Sequence, residues 1–67
     1  MSLTWTDSLE VAISLDEAHP HVDPKTLRFT DLMQWCLALE EFTGEQGHCN
    51  EKILEAIQMA WIDERDD

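Results

Sequence analysis

Positive charge is what this sequence has least of. Four Lys and Arg residues stand against 15 Asp and Glu residues, and the formal net charge is -11 at pH 7. Nucleic-acid binding depends on Lys and Arg side chains set against phosphates, and anionic lipid attracts the same residues. We therefore exclude nucleic acid and membrane surfaces as ligands. The expected partners are cationic, either a basic protein surface or metal ions.

Cysteine, glycine and long apolar runs are also scarce. The two cysteines, Cys36 and Cys49, are too few for a disulfide framework. No apolar run approaches the roughly 18 residues of a membrane span, and no basic stretch precedes an apolar one near the N-terminus. We expect a cytoplasmic protein without a secretory signal. The two glycines lie in GEQG (44–47), without the strand-to-helix context of a phosphate-binding loop.

Catalytic and zinc-binding signals are weak. Cys49 follows His48, but sequence neighbours in a loop rarely align as nucleophile and base, and no third orienting residue is evident. We expect that the protein is not an enzyme. His19, His21, His48 and Cys49 are zinc-ligand types, but they lie in two separate loops and lack the usual C-x-x-C spacing. Ordinary loop histidines are the favoured interpretation.

The apolar content is sufficient for a small globular fold. The chain has 67 residues, of which 43% are hydrophobic, and it includes three tryptophans. A disordered acidic segment would lack such aromatics. We predict one domain over residues 1–67, burying about 60% of the surface of the unfolded chain.

The first amphipathic segment predicts a helix over about residues 7–18. Asp7 and Glu10 have the spacing of a capping box, in which Glu10 reaches back to the N-cap residue. Two apolar rows run along the segment at helical spacing: Val11, Leu15 and Ala18, and beside them Leu9 and Ile13. We expect a wide face that buries both rows, because a small domain needs the area. The alternative is that one row remains exposed as a contact patch.

The second segment, FTDLMQWCLALEEF, extends from Phe29 to Phe42. Leu32, Trp35 and Leu39 recur at helical spacing and are expected to point to the core. The N-cap is predicted at one of two competing residues, Thr30 or Asp31, with Phe29 as a hydrophobic staple. The preceding residues 26–29 are expected to be irregular or minimally β.

Asn50 predicts the N-cap of a third helix. Its buried face is predicted to comprise Ile53, Leu54, Ile57, Ala60 and Trp61. The tail 63–67 places negative charge at a helix C-terminus, where the helix dipole disfavours it, and we expect that end to fray. The overall prediction is an all-α domain of three helices with at most minimal β-structure.

Five carboxylates form the candidate metal site. Glu40 and Glu41 end the second helix, Glu45 lies in the following loop, and Glu51 and Glu55 are four residues apart on the third helix. A compact three-helix arrangement is expected to bring the two groups together. Oxygen ligands suit divalent ions such as Mg, Ca, Mn or Fe(II), and without His or Cys such a site is weak and exchangeable. The alternative is that these carboxylates form ordinary solvated helix faces.

An ordered set of short motifs over nearly the whole chain resembles the IscX (YfhJ) family. The set reads WTD (5–7), DPKT (23–26), RFTD (28–31), Trp35, LE (39–40), Phe42, NEKILEAI (50–57), Trp61 and DE (63–64). The chain departs from the family in the loop 43–49. There TGEQGHC replaces a run of aspartates, and the local charge is lower.

The resemblance implies a modified winged-helix fold and a role in bacterial iron–sulphur cluster assembly. It implies binding to the cysteine desulfurase IscS through an acidic face, in competition with bacterial frataxin. It also implies weak, exchangeable Fe(II) binding, as an iron donor or iron-dependent regulator. The predicted partner-binding residues are Asp31, Glu40, Glu41, Glu51 and Glu55. We expect a monomer. The alternative function is an acidic nucleic-acid mimic that blocks a DNA-binding protein.

Overall fold

Three helices make up most of the structure. The computed structural model describes residues 2–66, and for Gln46 it describes only the backbone. Residues 1 and 67 of the predicted domain, the second of which also ends the predicted acidic tail, lie outside the described residues. Helix α1 spans Ser8–Ala18, α2 spans Phe29–Ala38 and α3 spans Glu51–Asp66, with a short 3-10 helix at Gln46–His48. Within the described residues, β-structure is limited to an isolated parallel bridge between Leu3 and Phe42. The predicted all-α fold is confirmed.

The core lies mainly between α1 and α3, which make the most extensive helix contact. Its buried apolar residues are Leu3, Trp5, Val11, Ala12, Leu15, Leu32, Cys36, Leu54, Ile57 and Trp61. Phe29, Trp35, Leu39, Phe42 and Ile53 are among the partly buried residues packed against it. Each helix and the N-terminal segment therefore contribute to one core.

Helix α1 buries one narrow face. Val11 and Leu15 are fully buried, whereas Leu9 is 56% exposed and Ile13 is 36% exposed. The prediction of a wide buried face is wrong. Helix α3 covers only the side of α1 that carries Val11 and Leu15, and Leu9 and Ile13 point away from it.

The capping box predicted at the start of α1 is also absent. Asp7 is the N-cap residue, but its side chain makes no capping hydrogen bond. The Asp7 carboxylate instead accepts hydrogen bonds from the backbone N–H (3.0 Å) and hydroxyl (3.2 Å) of Thr4. These bonds close the turn that directs Trp5 into the core.

Helix α2 begins earlier and ends earlier than predicted. Arg28, in an extended conformation, is its N-cap residue without a side-chain cap, and the helix stops at Ala38. The predictions of an N-cap at Thr30 or Asp31 and of a helix that ends with Glu40 and Glu41 are therefore wrong.

Backbone pairing explains the early end of α2. The backbone N–H of Leu3 donates to the carbonyl of Glu41 (2.7 Å), and the N–H of Thr43 donates to the carbonyl of Leu3 (2.7 Å). The N-terminal segment thus binds backbone groups that helix continuation would need. Glu40 and Glu41 lie in a turn beyond the helix rather than on its last turn.

Helix α3 follows its prediction closely. The side-chain oxygen of Asn50 accepts a hydrogen bond from the backbone N–H of Ile53 (2.9 Å), which confirms Asn50 as the N-cap. Of the five residues of the predicted buried face, Leu54, Ile57 and Trp61 are buried, whereas Ile53 and Ala60 are only partly buried and pack against the core. The helix continues to Asp66, beyond the point at which fraying was expected.

One polar cluster ties the end of α3 to α1, and we call it the Asp16 clamp. The Asp16 carboxylate accepts hydrogen bonds from Trp61 Nε1 (3.2 Å) and Arg65 Nε (2.7 Å). The guanidinium of Arg65 also donates to the carbonyls of Val22 (2.9 Å) and His19 (3.4 Å). The clamp therefore holds the last turn of α3 against both α1 and the connector that follows it.

Trp35 lies at the margin of the core rather than inside it. It is partly buried, and its ring meets that of Trp61 edge-on with centroids 6.2 Å apart. The imidazole of His19 lies 5.0 Å from the Trp35 ring, with the two ring planes tilted by 31°. The predicted inward orientation is thus only partly realised, and His19 is a packing residue.

Candidate functional site

The six carboxylates predicted to bind a metal or a partner share two properties. All of them are exposed to solvent. The ion pairs found among residues 2–66 join Lys25 to Asp66 and Arg65 to Asp16, and involve none of the six. The set is Asp31, Glu40, Glu41, Glu45, Glu51 and Glu55. Their charges are therefore available to an external cation.

Glu40 and Glu41 lie against α1, not against α3. They line a depression together with Ser14 and Glu17 of α1 and with Leu3 and Leu39. We call Glu17, Glu40 and Glu41 the acidic depression. Its shape is fixed by backbone bonds on either side: Leu3 N–H to the Glu41 carbonyl, and Phe42 N–H to the Leu39 carbonyl (3.1 Å).

Sequence reasoning missed Glu17. It lies far from Glu40 and Glu41 in the sequence, and only the pairing of the N-terminal segment with residues 41–43 brings the turn to α1. One signal was available: Glu17 follows Leu9 and Ile13 at intervals of four residues, so all three share one row of α1. Once that row is known to be exposed, Glu17 is exposed with it.

Glu45 belongs to a different part of the surface. Trp5 Nε1 donates a hydrogen bond to the Glu45 carbonyl (2.6 Å), which anchors the loop backbone to the core. Gly44 permits this close approach, since a Cβ there would lie 2.7 Å from a Phe42 ring carbon and 2.9 Å from a Trp5 ring carbon. The resulting depression is lined by Thr4, Trp5, Thr6, Thr43, Gly44, Glu45, His48 and Ile53.

Glu55 lies on a third surface, the outer face of α3. It lines a depression together with Lys52, Ala56 and Met59. Lys52 brings positive charge to this face, whereas the described residues that line the acidic depression include no Lys or Arg. Glu51, one helical turn before Glu55, is exposed in the first turn of α3.

Four of the five predicted Fe(II) ligands thus line three different depressions, with Glu40 and Glu41 in one, Glu45 in another and Glu55 in the third, whereas Glu51 lines none of them. Among residues 2–66, no three His, Cys, Asp or Glu side chains are grouped so that they could hold a metal ion. Divalent cations bind tightly where several oxygen ligands converge. These residues do not fit a preformed iron site, and Fe(II) binding stays a prediction.

Both thiols are held in the protonated form. Burial raises the pKa of Cys36 to about 12, with a smaller contribution from the nearby Cys49. Burial also raises the pKa of Cys49. Because the thiolate is the nucleophile and the metal ligand, neither cysteine is activated for such chemistry at neutral pH.

Comparison with known proteins decides the family. The sequence model of the iron–sulphur cluster assembly family matches residues 3–66. This chain belongs to that family. It is also 56% identical to an uncharacterised protein of Pseudomonas aeruginosa over 66 residues, which cover 98% of this chain and all of that protein.

The family membership confirms the resemblance to IscX drawn from the motifs. It assigns the chain to iron–sulphur cluster assembly and to the machinery that carries it out. In the part of the chain that the structure describes, every helix is too short or too polar to cross a bilayer.

Proposed function

We propose that this protein is a non-catalytic, cytoplasmic adaptor of iron–sulphur cluster assembly. It docks on a basic surface of an IscS-like cysteine desulfurase, competes there with frataxin and modulates cluster formation. The proposal rests on one observation about the six predicted carboxylates. All six are exposed, and none of them takes part in the ion pairs of the described residues. Membership of the assembly family supplies the biochemical context.

The charge distribution favours a basic protein as the partner. A net charge of -11 on a chain of 67 residues produces a field that accelerates encounter with a positive surface. A carboxylate held in a close internal ion pair contributes less to that field, as Asp16 does beside Arg65 at 2.7 Å, whereas the exposed Lys25–Asp66 contact is 3.9 Å long. The exposed Glu40 and Glu41 remain available at the protein surface.

A charge-reversal experiment tests the proposal. Glu40→Lys/Glu41→Lys places positive charge in the acidic depression, and Asp63→Lys/Glu64→Lys is a matched control on α3 with the same change in net charge. Binding to the purified desulfurase is measured by calorimetry. We expect the first variant to lose about tenfold or more in affinity, equivalent to about 1.4 kcal/mol, and the control to lose much less.

Salt provides an independent test of the same contact. At about 0.5 M salt the Debye length falls to roughly 4 Å, and the affinity of the wild-type protein should fall with it. Equal weakening by both charge reversals would indicate a diffuse charge effect. Affinity that is unchanged at high salt would contradict electrostatic docking.

Fe(II) binding forms a second, weaker part of the proposal. Glu51 and Glu55 are exposed and one turn apart, and a divalent cation would relieve their mutual repulsion. An anaerobic Fe(II) titration followed by NMR is expected to broaden the signals of residues 51–55 first, around Glu51 and Glu55. Broadening spread over the whole acidic surface would reduce the effect to counterion attraction.

The nucleic-acid-mimic alternative predicts a different partner. Affinity purification on this protein should retain the desulfurase, a pyridoxal-phosphate enzyme. Retention of a DNA-binding protein in its place would replace the adaptor proposal.

A further inference from the structure

Helix α1 carries an exposed apolar row on the side opposite the core. Leu9 is 56% exposed and Ile13 is 36% exposed, while Val11, Ala12 and Leu15 are buried on the other side. Exposed apolar side chains that occur singly are common on soluble proteins. Here, however, two of them are one helical turn apart on the same helix face.

The apolar row leads directly into the acidic depression. Glu17 is one turn beyond Ile13 on the same row, and it lines the depression together with Glu40 and Glu41. The result is a continuous strip with two apolar side chains at one end and three carboxylates at the other. We call these five residues the α1 strip.

The negative charge of the α1 strip limits which partner surfaces can bind to it. A second copy of this chain would bring another net charge of -11 and a like-charged strip to the contact. Of the four Lys and Arg residues, Lys25 and Arg65 already pair with Asp66 and Asp16, which leaves Arg28 and Lys52 against 15 Asp and Glu residues. The complementary surface is therefore one that combines Lys or Arg side chains with an apolar patch.

We propose that the α1 strip is the surface that docks on the desulfurase, with Leu9 and Ile13 as its apolar anchors. The inference rests on the proposed function and makes it more specific. It assigns the contact to α1 and the turn after α2, and not to the outer face of α3 that carries Glu55. Peripheral charges mainly steer association, whereas apolar groups buried in an interface mainly determine how slowly the complex dissociates.

The test compares two exposed residues with nearly equal accessibility. Leu9→Ser removes an anchor, and Met59→Ser, at 57% exposure on α3, is the matched control. Both residues lie outside the core, and the urea midpoint of each variant verifies folding. Association and dissociation rates with the desulfurase are measured at about 0.1 M and 0.5 M salt, where the Debye lengths are about 10 Å and roughly 4 Å.

We expect Leu9→Ser to raise the dissociation rate about tenfold at both salt concentrations, a change of about 1.4 kcal/mol, with little change in the association rate. Leu9→Met, which keeps an apolar side chain at this position, should retain the wild-type dissociation rate. Met59→Ser should leave the association and dissociation rates unchanged. Wild-type kinetics for Leu9→Ser, or equal effects at Leu9 and Met59, would overturn the inference.

The outcomes also separate this inference from the proposed function. If Glu40→Lys/Glu41→Lys weakens binding and Leu9→Ser does not, docking on the desulfurase stands and the α1 strip is wrong. If the wild-type protein does not bind the desulfurase at all, both proposals fail.

Discussion

Asp16 and Glu17 are adjacent in the sequence and have opposite environments. Asp16 points to α3, where its carboxylate accepts hydrogen bonds from Trp61 and Arg65. Glu17 points to the other side of α1 and lines the acidic depression beside Glu40 and Glu41. One helix therefore separates a carboxylate that stabilises the fold from carboxylates that do not.

The difference shows how so acidic a chain retains a stable core. A carboxylate with two strong donors stabilises the fold, whereas exposed like charges reduce stability by self-repulsion. The basic side chain Arg65 is used at the Asp16 clamp, where it also satisfies two carbonyls. The acidic depression is left with unpaired charge, which a partner can neutralise.

The largest expected loss of stability comes from truncating a buried side chain of the α1–α3 core. Trp61 is fully buried and Met59 is 57% exposed on the same helix. Trp61→Ala should cost about 3–5 kcal/mol, which is comparable to the whole stability expected of a domain of this size. Met59→Ala should change the free energy of unfolding by less than about 0.5 kcal/mol. Urea denaturation followed by circular dichroism measures both, and similar midpoints would contradict this account of the core.

A smaller loss is expected at Arg65. Arg65→Met removes the donors to Asp16, Val22 and His19. Because the Arg65 side chain is 32% exposed, water replaces part of these bonds, and we expect a cost of about 1 kcal/mol. Lys52→Met removes the same charge from an exposed site on α3 and should cost less. Equal shifts in the urea midpoint for Arg65→Met and Lys52→Met would show that Arg65 affects stability only through its net charge.

The contribution of Asp16 to stability should depend on pH, whereas that of Glu17 should not. The hydrogen bond from Arg65 lowers the pKa of Asp16 below its ordinary value of 3.8; burial opposes this shift, and Trp61 and the Arg65 charge add to it. The stabilisation by ionised Asp16 is therefore complete above about pH 3.8 and is lost as the pH falls through the lower folded-state value.

The measurement is the stability difference between the wild-type protein and Asp16→Asn as a function of pH. The difference should be largest near neutral pH and should shrink below about pH 3.8. Glu17→Gln, the neighbouring control, should cause no loss of stability at neutral pH. A pH-independent effect of Asp16→Asn would argue against an ionic clamp.

The smallest effect should have the opposite sign. Glu40→Gln/Glu41→Gln removes charge from the acidic depression, where no partner within the described chain neutralises it. The urea midpoint should rise slightly at low salt, and this gain should disappear as salt screens the repulsion. A fall in the midpoint would show that these carboxylates make stabilising contacts within the fold.

Local sequence signals predicted α3 well, although the equally local N-cap signals of α1 and α2 failed. Asn50 caps α3 as expected, because the Asn side chain reaches a backbone N–H only three residues away. The buried stripe of α3 follows from helical periodicity in the same way. Such features require no knowledge of the rest of the chain.

The features that the sequence left undetermined depend on tertiary contacts. Leu9 and Val11 are both apolar, and only the position of α3 makes Val11 buried and Leu9 exposed. Likewise, the end of α2 at Ala38 depends on the pairing of Leu3 with residues 41–43. That pairing also brings Glu40 and Glu41 to Glu17, so the composition of the acidic depression could not be read from sequence spacing.

The most direct test of the docking surface is an NMR titration of the isotope-labelled protein with unlabelled desulfurase. The largest signal changes should fall on residues 9–17 and 39–41, where the α1 strip lies, and the exposed face of α3 around Met59 should change little. Changes centred on residues 51–63, or no changes at all, would contradict the assignment of the unpaired carboxylates beside α1 as the docking surface.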